Sequence, residues 1–144
     1  MLAEVKARLE AQVPELDGRV GLAAEFTAIL KDGRVPSGGV NAYVLPGTTT
    51  GVPAQTMGAG LFIQPVRRGV SVATFVQSTD ARGQRALGRL DGFLVDIQEA
   101  LCGWAPGDEV GVFELSAERP APSQRGLMAF VTEFRINDQL RIPT

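Results

Sequence analysis

Leu87, Leu90, Leu94, Ile97, Leu101 and Trp104 recur at steps of three and four, the spacing that a 3.6-residue helix gathers into one stripe. Ala86, Phe93 and Ala100 widen the stripe, so the pattern predicts an amphipathic helix over Asp80–Trp104. Asp80 is placed to cap its start, Gly103 to end it in a left-handed conformation, and Pro106 to stop it resuming. A narrower stripe, Leu2, Val5, Leu9 and Val13, predicts a surface-lying N-terminal helix closed by Pro14 and Gly18. A third helix is expected over Ala23–Lys31, anchored by Phe26, Ile29 and Leu30 and stopped at Asp32-Gly33.

The rest of the pattern is strand-like. Arg19–Leu22 reads as a short strand, and Val40–Leu45, apolar on both faces apart from Asn41, as a central one. Gly60–Val66 and Val70–Gln77 are expected to form a hairpin turned by Arg67-Arg68-Gly69, with Pro65 placing the first strand at an edge or bulge. Val110–Leu115 and Leu127–Ile136 form a further pair. In the second of these, Met128, Phe130, Phe134 and Ile136 point one way, Glu133 and Arg135 the other. Gly47–Gly58 and Ala117–Gly126 carry no periodicity and read as loops, Val35–Gly39 as a connector, and Asn137-Asp138 as a turn into a short tail. The order α-β-α-β-β-β-α-β-β, with short turns between consecutive strands, gives a single α+β domain. Its sheet is mixed but largely antiparallel, with helices packed on it.

Composition narrows the function more than the fold. With 144 residues, 44% hydrophobic and 21% charged, the chain has room for one core, and its net charge of −2 gives no sign of nucleic-acid binding. No apolar run reaches the length of a membrane span, and the N-terminus does not read as a signal peptide. The single cysteine, Cys102, fits a reducing compartment such as a cytoplasm; beside Leu101 and Trp104 it is expected to be buried and structural. The chain contains no histidine, which removes Ser-His and Cys-His catalysis and the commonest transition-metal ligand. Asp91, Asp96, Glu99, Asp108 and Glu109 leave a carboxylate-only enzyme as the remaining catalytic option, but Asp96 and Glu99 share the polar helix face, and Asp108-Glu109 belongs to a turn. No glycine-rich segment leads into Lys-Ser or Lys-Thr, so no cofactor, nucleotide or metal is expected.

One pattern stands out against the helix dipole. Arg82, Arg85 and Arg89 lie in the first half of the long helix and Asp96 and Glu99 in the second, the reverse of the order the dipole favours by about 0.3–1 kcal/mol per charge. A solvated face tolerates this order; the sharper reading is that these five residues meet opposite charges on another subunit.

Taken in order, several phrases of this sequence resemble the tail terminator proteins of long-tailed bacteriophages, the group of the lambda tail terminator and its Mu-like phage relatives. They are Gly18-Arg19-Val20 followed by Ala23-Ala24-Glu25-Phe26, Ala42-Tyr43-Val44-Leu45-Pro46, Gly69-Val70-Ser71-Val72, Gly103-Trp104-Ala105-Pro106 after the long helix, and the ending Asp138-Gln139-Leu140-Arg141-Ile142-Pro143. The resemblance covers most of the chain and contains no catalytic signature. It implies an α+β virion protein without enzyme activity or cofactor. It further implies a homo-oligomeric, hexameric ring at the tail–neck junction, assembled in the host cytoplasm. Such a ring caps the tail tube, stops tube growth, contacts the tube protein and the head-completion or neck protein, and lets DNA pass without specific binding. On this reading Thr48, Thr49, Thr50, Gln55, Arg119 and Arg125 are loop contacts to tube or neck, and Arg67 and Arg68 sit at a hairpin tip or the lumen. The alternative from the same virion is another neck component, a head-completion or head–tail joining protein.

Overall fold

Side chains alternate across a strand, so the pairing register decides which face each residue occupies. The computed structural model describes residues 1–32, 40–54, 56–58, 60–77, 84–121 and 127–144. Within these, the elements are α1 (Leu2–Gln12), a 3-10 turn (Pro14–Leu16), β1 (Val20–Gly21), α2 (Ala23–Asp32), β2 (Val40–Gly51), β3 (Thr56–Gly58), β4 (Leu61–Gln77), α3 (Gln84–Leu101), β5 (Glu114–Ala121) and β6 (Leu127–Pro143). The sheet order is β1-β2-β4-β6-β5, with β3 added beside β4; β1–β2 is parallel and the other pairs are antiparallel. This is the α+β class and element order expected from the sequence.

The core lies on one face of the sheet. Val40, Ala42 and Val44 of β2, Val70, Val72 and Val76 of β4, and Phe134 and Ile136 of β6 pack there against Val5 and Leu9 of α1 and Leu90, Phe93, Leu94, Ile97 and Leu101 of α3. The described part of the stripe that predicted α3, from Leu90 to Leu101, is therefore the buried face of the helix. Gly103, at φ +80°, ends that helix in the left-handed region where a Cβ is disfavoured. Beyond it the Gly103 N–H donates to Phe113 O and the Phe113 N–H to Trp104 O, both at 2.9 Å, which turns the chain back along the sheet. Trp104, Phe113 and Phe134 then pack in sequence, the first pair tilted and the second edge-to-face, with centroids 6.1 and 6.5 Å apart. Arg8 ties α1 to the same corner: its Nε donates to Ala100 O at 2.9 Å and its guanidinium lies 5.2 Å from the Trp104 ring centroid.

The opposite face is only partly covered. α2 crosses one end of it, where Phe26 packs on Tyr43 and Phe75 at 5.7 and 6.1 Å. The Leu22 N–H donates to Glu25 Oε2 at 2.9 Å, the carboxylate arm of a capping box at the start of α2.

Three expectations are corrected. Gly60–Val66 and Val70–Gln77 are not two hairpin strands but one strand, β4, paired residue for residue with β6 from Leu61↔Pro143 to Gln77↔Leu127. Arg67-Arg68-Gly69 resembles a turn because of its glycine, but that glycine serves a close approach. A Cβ on Gly69 would stand 2.7 Å from Thr48 O, where β2 bulges between Pro46 and Thr49. By the same logic Asn137-Asp138 does not turn; it sits inside β6 opposite Arg67 and Val66.

The expected loops also shrink: Gly47–Gly51 continues β2, Thr56–Gly58 is β3, and Ala117–Ala121 belongs to β5. Pro65 is neither at an edge nor bulged against β6. It falls in the gap between the β2 pairing, which stops at Val66, and the β3 pairing, which starts at Ile63. In that gap its carbonyl accepts the Val52 N–H at 2.9 Å, and the missing proline N–H is not required. The expected cap Asp80 and the Val35–Gly39 connector lie outside the described residues.

Candidate functional site

Three surfaces of this chain have chemistry that the fold does not consume. The first is the sheet face away from α1 and α3. Register places Leu45, Ser71, Glu133 and Ala117 on one rung of it, with Arg67, Arg119 and Arg135 on neighbouring rungs. Of these, Arg67, Ser71, Glu133 and Arg135 line a groove of about 540 Å3, together with Thr48, Thr50 and Ser116 among others. Two of its charges pair with residues beside it: Arg119 Nη1 lies 2.7 Å from Glu133 Oε1, and Arg135 Nε lies 3.5 Å from Glu114 Oε2. These pairs are substantially exposed, so each contributes at most about 1 kcal/mol to stability. No group of three or more His, Cys, Asp or Glu is arranged to hold a metal ion among the described residues. The groove presents hydroxyls and paired ions; no activated nucleophile or matched acid–base couple lines it.

The second surface is the outer face of α3. Arg89, Asp96 and Glu99 are exposed there, beside Val95, which is 50% exposed. Of the five charges expected on this face, these three are described, and all three are turned away from the core. Arg85 falls in the first turn of α3, with its side chain outside what the structure describes, and Arg82 precedes the described helix.

The third surface is the pair of sheet edges, which the sequence reading did not single out. Among the described residues no strand pairs with Pro46–Gly51 on the side away from β4, nor with β5 on the side away from β6. Val110 and Val112, which lead into β5, and Leu115 within it are 65%, 46% and 42% exposed. A sequence signal did exist, since three large apolar residues close together on a segment that also carries Glu114 give that segment an apolar flank.

The remaining expected site residues are redistributed. Thr48, Thr49 and Thr50 are exposed as foreseen, but on a strand, not a loop. Arg119 is a strand residue paired with Glu133, while Gln55 and Arg125 lie outside the described residues. Arg67 and Arg68 are at no hairpin tip. Consecutive positions in β4 send them to opposite faces: Arg67 to the open groove, Arg68 to the helix side, where its Nε donates to Asp138 Oδ2 at 2.9 Å. Cys102 is exposed rather than buried, because α3 ends at Leu101 and the next residue has already left the apolar stripe.

Two titrations bear on the α2 corner. Glu25 is held below the usual carboxylate range by hydrogen bonds from its own backbone N–H and that of Leu22. Tyr43, beneath Phe26, is pushed above the usual tyrosine value by burial and, secondarily, by the Glu25 charge. The Glu25 shift reflects hydrogen bonds that fasten the start of α2, and the Tyr43 shift is a consequence of its burial.

No helix among the described residues is long and apolar enough to cross a membrane. Compared with known proteins, residues 2–144 match the family model described as phage tail terminator protein. No curated protein gives a significant match.

Proposed function

The chain belongs to the phage tail terminator family, and from that premise we propose that it is a structural assembly protein whose copies close into a hexameric ring on the end of the tail tube. The ring ends the addition of tube subunits and offers its other side to the head-completion or neck protein. The observation that carries this reading is the family match over residues 2–144, nearly the whole chain. The groove supports it: ion pairs and hydroxyls on an open sheet face suit a contact surface, and the family is structural, not enzymatic.

Within this reading the outer face of α3, with Arg89, Asp96 and Glu99, meets charges of a neighbouring copy or of the neck. Thr48, Thr49 and Thr50 are contacts to tube or neck. Arg67 and Arg119, on the open face with Arg135, are turned toward the DNA path, and the DNA passes without specific binding.

Deletion of the gene from its phage tests the function. Tails of uncontrolled length, restored to uniform length by the intact chain, are the expected result. Tails of normal length that fail to join heads would assign the protein to another neck component instead. A stable monomer with catalytic turnover would defeat both readings.

A further inference from the structure

Two surfaces on opposite sides of the sheet carry opposite charge that the chain does not neutralise. On the outer face of α3, Gly88, Gly92, Val95 and Glu99 follow one another at steps of three and four, flanked by Asp91 and Asp96. Asp91, Asp96 and Glu99 are exposed and have no charged partner among the described residues, and Arg89 is the one base among the described side chains of this face. The sheet face away from α1 and α3 has the reverse balance, with Arg67, Arg119, Arg135 and Arg141 against Glu114 and Glu133. Arg119 and Arg135 are paired with those two glutamates, Arg141 bonds only the amide oxygen of Gln139, and Arg67 is exposed with no partner among the described residues.

The two surfaces also agree in polarity and length. Arg89 to Glu99 covers about 15 Å of helix axis. From Glu133 to Asn137, which shares a rung with Arg67, is about 14 Å of β6. A helix laid along the strands can therefore set Arg89 over the Glu133 end and Glu99 over Arg67. Space is free on both sides. α2 covers only the Tyr43–Phe75 end of the sheet face, and no described element lies over the groove. On α3, a Cβ added at Gly88 or Gly92 would meet nothing within 4 Å. Glycine weakens a helix interior relative to alanine, and nothing described in the chain requires it at these two positions. A partner pressed close to the helix backbone does.

We infer that the outer face of α3 of one copy docks on the open sheet face of a second copy, with Asp96 and Glu99 toward Arg67 and Arg141 and with Arg89 toward Glu133. The inference rests on the ring reading above and names the contact between neighbours; it moves Arg67 from the DNA path into that contact. The contact is heterologous, helix side to open side, so each copy keeps one free half for the next, as a ring requires.

Charge reversal in two separate chains tests it, with assembly read by native mass spectrometry and electron microscopy. One chain carries Asp96→Arg with Glu99→Arg, the other Arg67→Glu with Arg141→Glu; all four side chains are exposed. Each chain alone sets like charges against each other and is expected to need at least about tenfold more protein than the parent to assemble. Mixed in equal amounts, they meet as basic helix on acidic sheet and acidic helix on basic sheet. The expected product is a ring holding both chains in equal numbers, formed at the parent's concentration. Gly92→Leu is the uncharged control: its urea midpoint is expected to match or exceed the parent's, while its assembly falls at least about tenfold. Where a reversed chain does not fold, Gly92→Leu decides.

Assembly of either reversed chain, or of Gly92→Leu, at the parent's concentration would overturn the docking and leave the ring reading intact. So would a mixture that forms no rings while the parent does. A parent chain that forms no rings, alone or on purified tail tubes, would remove both.

Discussion

Thr74 and Thr132 invite a paired experiment, because they are the same residue type on the same face of adjacent strands with opposite circumstances. Both are 0% exposed. Thr132 Oγ1 donates to Glu118 Oε2 at 3.1 Å, whereas Thr74 Oγ1 has no hydrogen-bond partner among the described residues. A buried hydroxyl without a partner costs about 1–3 kcal/mol relative to its hydrated state. Valine keeps nearly the volume of threonine and removes that cost, so Thr74→Val is expected to stabilise the fold by about 1–3 kcal/mol. For a domain of this size that is a rise in Tm of about 2–4 °C per kcal/mol. Thr132→Val removes a bond that is made and is expected to lose about 0.5–1.5 kcal/mol. Urea denaturation at one fixed protein concentration measures both, since assembly would otherwise add to apparent stability. A shift in midpoint at unchanged m-value is the relevant signal. If Thr74→Val proves no more stable than the parent chain, the Thr74 hydroxyl has a partner in solution and the reasoning fails.

Gly69→Ala is expected to destabilise the fold by about 1–3 kcal/mol, since its new Cβ would meet backbone that cannot swing aside; a denaturation midpoint equal to that of the parent chain would contradict the close approach. Glu25 has its folded-state pKa depressed, so its contribution is complete above its unfolded pKa and is lost as pH falls through the lower folded value. An acid titration followed by the Leu22 amide resonance should show that step in the parent chain and not in Glu25→Gln. Arg89→Glu, on the exposed face of α3, should leave the stability of the isolated chain within about 0.5 kcal/mol but weaken ring assembly in native mass spectrometry. Unchanged assembly would remove that face from the contact.

The sequence made local features legible and non-local ones hard to see. The α3 stripe was readable because periodicity and burial are the same fact seen twice, and Gly103 marked its end through a backbone requirement that few other residues meet. The β4 strand was not. Its Arg67-Arg68-Gly69 segment carries turn composition, and only β2 bulging against Gly69 and the ladder to β6, some seventy residues later, explain why it stays extended. Cys102 was misplaced by a single helical step, a small error in phase that reverses exposure. The candidate surfaces divide the same way. The outward face of α3 could be inferred from spacing, but an open edge is a property of the assembled sheet and has no signature in any one strand.

β4 and β6 are paired without a register shift along seventeen residues, a ladder of about 56 Å, while the β2–β4 and β5–β6 pairs are each interrupted by a bulge. That uninterrupted ladder has a mechanical consequence. A pull along the strand axis on β4 against β6 loads all rungs together in shear, whereas a pull across the ladder would open them one after another. Of the three long strand pairs described, β4–β6 is therefore the one in which a load along the strands is shared from end to end.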